Sequence, residues 1–108
     1  MLYDAVDRYL ADHRQEHVQA LRAFLAIPSV STLSSHATHI KAAASFLADR
    51  MRSSGLHEVS LVETSGYPVV YGAWHGAPGK PTALIYGHYD VQPADPPRLW
   101  QTPAFEPE

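Results

Sequence analysis

The stretch ALIYGHYDVQP, residues 83–93, joins an apolar run to two ionisable side chains. The run before Gly87 is apolar on both faces, which predicts a central strand covered on two sides. We expect Gly87 to allow a backbone geometry or a close approach that a side chain would block. His88 and Asp90 lie two residues apart, so an extended chain points both to the same face. The stretch therefore predicts a buried strand that ends in a His–Asp pair.

The position and composition of this pair are compatible with a metal site. Open α/β sheets place their binding sites at the carboxyl ends of strands. An aspartate that accepts the second N–H of an imidazole fixes its tautomer and raises its basicity, as in carboxylate–histidine–zinc sites. Two residues are a weak motif, however, and for this pair taken alone the favoured interpretation is a strand-end histidine paired with an aspartate for solubility.

Two amphipathic helices are predicted before any strand. The first spans residues 2–25 and ends before Pro28, which lacks the amide proton that a continuing helix needs. The second follows the connector SVSTLSS, with Ser34 or Ser35 as its N-cap and Gly55 in the left-handed conformation after its end. The apolar stripes are Leu2, Val6, Tyr9, Leu10, Leu21 and Phe24 in the first helix, and Ile40, Ala43, Ala44, Leu47 and Met51 in the second.

Three β-prone runs follow, at residues 57–63, 69–75 and 82–88. The first two alternate and predict a hairpin, and the third predicts the central strand. The proline-rich segment from residue 93 onward predicts an ordered loop or a frayed tail. The order of elements predicts an α/β fold in which two N-terminal helices precede the strands of a mixed sheet, with residues 1–108 forming part of a single domain.

Composition narrows the function classes. The 108 residues carry a net charge of −3, with no cluster of Lys or Arg, which argues against a nucleic-acid partner. The absence of cysteine excludes disulfides and thiolate zinc sites and fits a reducing compartment, so we expect a cytoplasmic protein. No signal-peptide core and no apolar run of membrane-spanning length occurs, so no membrane partner is expected.

The segment GHYDVQPADPPRLWQTPAFEP closely resembles a motif of the co-catalytic zinc exopeptidases and deacylases. That family includes carnosine dipeptidases, aminoacylases, acetylornithine deacetylases and carboxypeptidase G. The resemblance extends through LRAFLAIPSVS, SFLADRMRSSGL and APGKPTALIYGH, and so covers nearly the whole chain. Tyr89 and Gln92, with the PADP continuation, look like the dipeptidase branch.

The resemblance implies specific roles for individual residues. His88 matches a ligand of one zinc, and Asp90 matches the catalytic carboxylate that orients this histidine. Trp100 and Phe105 match packing positions in the following loop. In this family two zinc ions and a glutamate general base hydrolyse the amide bond of a small peptide or an acyl-amino acid. The family also implies a phosphorylase/hydrolase-like catalytic fold and a homodimer formed through a separate domain.

The chain departs from the family pattern in its ligand set. The bridging aspartate, the Glu-Glu pair, the later acidic ligand and the distant histidine of the family all correspond to positions beyond Glu108. Catalytic zinc needs about three protein ligands, and only His88 matches one. We therefore expect an N-terminal fragment that is inactive by itself. The alternatives are an N-acyl-amino-acid deacylase of the same family and a short non-catalytic binding module with the same fold.

A second histidine motif competes with the His–Asp pair. HRQEH, residues 13–17, fits the H-x-x-E-H pattern of inverted zinc peptidases, with His13 and His17 one helical turn apart. Both histidines fall on the apolar stripe of the first helix, and no third ligand is placed by a motif, so packing histidines are the favoured interpretation. The remaining histidines are expected at the surface or at helix ends; they are His36, His39, His57 and His75.

Overall fold

The computed structural model describes the backbone of residues 1–108 and every side chain except that of Leu2. The chain divides into two units, one formed by residues 1–27 and 94–108 and the other by residues 28–93. Among the described residues, no helix combines the length and the apolar character that crossing a membrane requires. The predicted His–Asp pair lies in the second unit.

The first unit contains two helices where the sequence predicts one. Helix α1 spans Leu2–Asp12 and helix α2 spans Arg14–Leu25, with His13 between them. The ring Nδ1 of His13 lies 2.9 Å from the Tyr9 carbonyl, which the backbone amide of His13 also uses. This side chain competes for a helical acceptor where the helix is interrupted.

The predicted apolar stripe of the first helix is largely solvent-exposed. Its members Val6, Tyr9, Leu10 and Leu21 are 50–55% exposed, and the side chain of Leu2 lies outside the described residues. Residues 94–108 contain one short 3-10 turn, at Pro97–Leu99. Phe105 is half-buried, whereas Trp100 is 51% exposed, so the packing role expected of Trp100 is not met.

The second unit is built around helix α3, Ala37–Ser53. Its inner face supplies most of the buried core, which consists of Val30, Ile40, Ala43, Ala44 and Ala48. The predicted serine N-cap is wrong, because residues 34–36 form a 3-10 turn and His36 precedes the helix without a side-chain cap. The predicted end is correct: Gly55 has a φ of +92°, and the Gly55 and Leu56 amides donate to the last-turn carbonyls of Arg52 and Met51.

The predicted hairpin is present. Strands β1, Glu58–Val62, and β2, Val69–Ala73, pair antiparallel with Val59 opposite Gly72. A Cβ atom at Gly72 would lie 2.8 Å from side-chain atoms of Leu56 and Met51. Glycine at this position therefore permits the close packing of β2 against the end of α3.

The predicted central strand at residues 82–88 does not form a ladder. The sheet of the described chain is two-stranded and antiparallel rather than mixed, and Leu84, Ile85 and Tyr86 are 90–93% exposed. A central strand needs a hydrogen-bonding neighbour on each edge, and the described strands β1 and β2 pair with each other alone. An isolated parallel bridge, Val30 to Val91, follows the run.

Candidate functional site

The His–Asp pair predicted from the sequence is formed in the structure. Nδ1 of His88 lies 3.0 Å from Oδ1 of Asp90 and 3.0 Å from the Asp90 carbonyl. Both partners are acceptors, so Nδ1 carries the proton and Nε2 keeps the free lone pair. The two side chains are 78% and 44% exposed, respectively. The pair therefore presents Nε2 as a donor atom that a metal ion in solution can reach.

Asp90 is held at its other oxygen by a serine from the connector after α2. The Ser31 hydroxyl donates to Oδ2 of Asp90 at 2.6 Å. This hydrogen bond is the main cause that lowers the pKa of the Asp90 carboxyl; His88 acts in the same direction and partial burial opposes both. Both carboxylate oxygens are thus engaged, one by a hydroxyl and one by an imidazole.

Backbone pairing brings the serine connector to the His–Asp segment. Val30 and Val91 form the parallel bridge, and the Val91 amide donates to the Ser29 carbonyl at 2.9 Å. The hydroxyl of Ser29, which is 2% exposed, donates to the Tyr89 carbonyl at 3.0 Å. Residues 29–31, which we call the serine clamp, therefore hold residues 89–91 through backbone and side-chain bonds together.

A hydrogen bond from Tyr89 connects the same segment to the residue that precedes strand β2. The Tyr89 hydroxyl donates to the carbonyl of the buried Pro68, just before β2, at 2.6 Å. Burial raises the pKa of Tyr89, and the neighbouring Asp90 carboxylate raises it further. The phenol stays neutral at physiological pH and keeps its proton for this bond. The segment that carries His88 and Asp90 is thus fixed from two sides.

An apolar cavity of about 690 Å³ adjoins the pair within the second unit. Its walls come from α3, from β2 and from residues 84–90, and Ser31, His88 and Asp90 contribute to them. The expectation for Gly87 is wrong, because a Cβ atom there would meet nothing within 4 Å and its φ is not positive. The space beside Gly87 is open.

The chain supplies one candidate ligand rather than a complete metal centre. Among the described residues, no group of three or more His, Asp or Glu side chains is close enough to hold a metal ion. His88 with its aspartate fits one position of a zinc site, since Nε2 is free and Nδ1 is held. The donor set of the described residues therefore fits a part of the predicted centre.

Four of the other histidines have local partners, and His57 and His75 are exposed as predicted. The ring of His13 stacks on Tyr9 with centroids 4.1 Å apart, and His17 lies next to it at 6.2 Å. His36 and His39 face each other, with their Nδ1 atoms 2.9 Å apart at the start of α3. These contacts agree with helix-face and helix-end histidines, and the H-x-x-E-H pattern gathers no third ligand among the described residues.

Sequence reasoning missed the partners of Asp90 and Tyr89. Ser29 and Ser31 belong to a connector that carried no predicted role, and Ser31 lies 59 positions before Asp90. A short parallel bridge leaves no periodic pattern in either segment. The one usable signal was that the clamp segment falls within a stretch that resembles the zinc exopeptidase family.

Comparison with known proteins identifies relatives of one kind. The Cys-Gly metallodipeptidase DUG1 of Candida albicans is 31% identical over 96% of this chain and 23% of its own length. The enzyme of the same name from Saccharomyces cerevisiae is 33% identical over 74% of this chain and 19% of its length. The Schizosaccharomyces pombe enzyme is 30% identical over 96% of this chain and 23% of its own length. No protein-family model matches the chain.

The fold points to the same relatives. A solved structure of the dipeptidase Dug1p from Saccharomyces cerevisiae superimposes with a TM-score of 0.82 at 28% identity, covering 92% of this chain and 23% of that one. The chain spans less than a quarter of the length of the curated relatives it matches. The predicted resemblance to metallopeptidases of the dipeptidase branch is confirmed, and so is the predicted α/β class.

Proposed function

Because the chain is homologous to a segment of the Cys-Gly metallodipeptidases, we propose that it forms the N-terminal part of a dipeptidase catalytic domain. The single observation that carries this proposal is the His88–Asp90 pair, with Nδ1 held at 3.0 Å and Nε2 free. We propose zinc as the metal, with two ions in the complete site, and a dipeptide such as Cys-Gly as the substrate. The remaining ligands and the general base come from sequence outside these 108 residues.

His88 would bind one metal ion through Nε2. A divalent metal, when bound, polarises an amide carbonyl and stabilises the negative charge that develops on its oxygen. Asp90 contributes by keeping the Nδ1 proton in place, which fixes the tautomer and directs Nε2 outward. The pKa of the Asp90 carboxyl lies below its ordinary value, so this carboxylate stays ionised and remains an acceptor for the imidazole even in mildly acidic solution.

Dipeptide hydrolysis by the complete protein tests this function. We expect the complete protein to hydrolyse Cys-Gly, to lose this activity after treatment with a chelator and to regain it when zinc is added. His88→Ala should abolish the activity. The matched control is His75→Ala, which removes an exposed histidine of the same unit and should retain activity. Each variant is assayed with an N-acyl-amino acid as well, because the deacylase alternative predicts turnover of that substrate instead.

Two results would contradict the proposal. One is hydrolysis that survives His88→Ala, which would remove His88 from the metal site. The other is metal-dependent turnover of N-acyl-amino acids without turnover of Cys-Gly, which would favour the deacylase. The 108-residue chain alone is expected to hydrolyse neither substrate, since it offers one ligand where catalytic zinc needs about three.

Two further properties belong to the proposal. We place the protein in the cytoplasm, which the absence of cysteine supports. A homodimer formed through a separate domain stays a prediction from the family resemblance.

A further inference from the structure

We propose that Ser31 is a positioning residue for the metal site, an inference that rests on the proposed role of His88. The hydroxyl of Ser31 donates to Oδ2 of Asp90 at 2.6 Å, while Oδ1 accepts from His88 at 3.0 Å. The hydrogen bond of the Ser31 hydroxyl goes to Asp90 rather than to the imidazole. Ser31 acts through Asp90 on the direction in which His88 presents Nε2.

A carboxylate is held most firmly when both of its oxygens accept hydrogen bonds. The terminal torsion of an aspartate is broad, so a carboxylate bonded at one oxygen can turn about its Cβ–Cγ bond. A second bond, at the other oxygen, fixes the plane of the group. Nδ1 of His88 lies 3.0 Å from Oδ1 and 3.0 Å from the backbone carbonyl of Asp90, so fixing the plane of the carboxylate holds the first of these two acceptors in place. Loss of the Ser31 hydroxyl would leave the carboxylate free to turn, and the backbone carbonyl alone would keep a fixed place beside Nδ1.

Because the His88–Asp90 pair is exposed, the main effect of the Ser31 hydrogen bond is on the orientation of the pair. His88 and Asp90 are 78% and 44% exposed, and water screens the attraction between such groups. The attraction between the two charges therefore contributes little to holding one geometry. A short hydroxyl bond from a third residue is the restraint that the structure adds.

Ser31 is itself anchored from the core. Val30, next to it, is 2% exposed and forms the parallel bridge to Val91. The hydrogen bond from the Val91 backbone amide to the Ser29 carbonyl fixes the register between the serine clamp and the His–Asp segment. The restraint therefore runs from the buried Val30 to Ser31, then to Asp90, and from Asp90 to His88.

The test measures zinc binding rather than turnover. The complete protein and its variants are titrated with zinc in competition with a chelator of known affinity. We expect Ser31→Ala to raise the zinc Kd about tenfold, at the lower end of the loss caused by removing an outer-shell partner. Ser31→Thr keeps a hydroxyl and should restore tight binding. Ser34→Ala removes an exposed serine of the same connector and should bind like wild type.

Thermal unfolding without metal separates positioning from folding. Ser31→Ala should unfold close to the wild-type temperature while binding zinc more weakly. A lower unfolding temperature with an unchanged zinc Kd would make Ser31 a structural residue and overturn the proposal. Should Ser31→Ala not fold, Ser31→Val replaces it, because valine has nearly the shape of the threonine in Ser31→Thr but no hydroxyl. We expect Ser31→Val to bind zinc more weakly than Ser31→Thr.

The outcomes distinguish this inference from the proposed function. If wild type binds zinc through His88 and Ser31→Ala binds it equally well, the positioning role is wrong and the dipeptidase proposal stands. If wild type binds no zinc, or binds it without His88, both are wrong.

Discussion

Replacing Ser29 with alanine removes a buried hydroxyl that joins the serine clamp to the His–Asp segment. Ser29 is 2% exposed, and its hydroxyl donates to the Tyr89 carbonyl at 3.0 Å. In Ser29→Ala the Tyr89 carbonyl loses this hydrogen bond, and water reaches the half-buried carbonyl poorly. We expect the free energy of unfolding to fall by about 1–2 kcal/mol, the usual cost of a lost bond with an acceptor left incompletely satisfied.

The expected change in melting temperature follows from the length of the chain. For 108 residues, the entropy of unfolding at the midpoint is about 230 cal/mol/K at the typical value per residue. A loss of about 1–2 kcal/mol then lowers the midpoint by about 4–9 °C. Circular dichroism of the 108-residue chain carrying Ile85→Lys, which should limit self-association through the exposed apolar run, measures this shift at micromolar concentration.

A matched control uses the same substitution at an exposed bond. Ser54 donates to the Arg50 carbonyl at 2.8 Å at the solvent-exposed end of α3. Water replaces that bond in Ser54→Ala, so we expect a change within about 0.5 kcal/mol. Equal effects of Ser29→Ala and Ser54→Ala would refute the reasoning, because burial of the Ser29 bond would then carry no weight.

Three other predictions concern packing, acid stability and association. Gly72→Ala should destabilise the chain by about 1 kcal/mol, because its Cβ would displace the side-chain ends of Leu56 and Met51, whereas Gly66→Ala should be nearly neutral by the same denaturation assay. The pKa of Asp90 is lower in the folded state than its ordinary value of 3.8, so its stabilisation is present above that pH and is lost below it. Unfolding midpoints measured across pH 2–7 without metal should therefore fall more steeply on acidification for wild type than for Asp90→Asn. The isolated chain should self-associate through its exposed apolar run, and Ile85→Lys should reduce this in light scattering; equal association of both forms would contradict it.

The sequence predicted those features of the fold that local patterns determine. The apolar face of α3 and the β1–β2 hairpin follow from periodicity within each segment, and Gly55 ends its helix as expected. The prediction of a central strand at residues 82–88 was wrong, because such a strand requires neighbouring strands and the described chain provides none for it. A run with the composition of a buried strand is therefore exposed.

The candidate site likewise combines residues that the sequence could predict with one that it could not. His88 and Asp90 could be paired from their spacing, since residues two apart in an extended chain share a face. The bond from Ser31 could not be predicted, because it joins residues 59 positions apart through a single backbone bridge. Spacing identified the two residues of the pair, and tertiary structure supplied the residue that fixes one of them.

An anomalous difference map at the zinc edge, from crystals of the complete protein grown with zinc, tests the central claim most directly. We expect a metal peak about 2.0–2.1 Å from Nε2 of His88, the usual zinc–nitrogen distance. Nδ1 of the same ring should remain bonded to Asp90. A zinc site formed without His88, or with His88 turned so that Nδ1 is the ligand, would contradict the account.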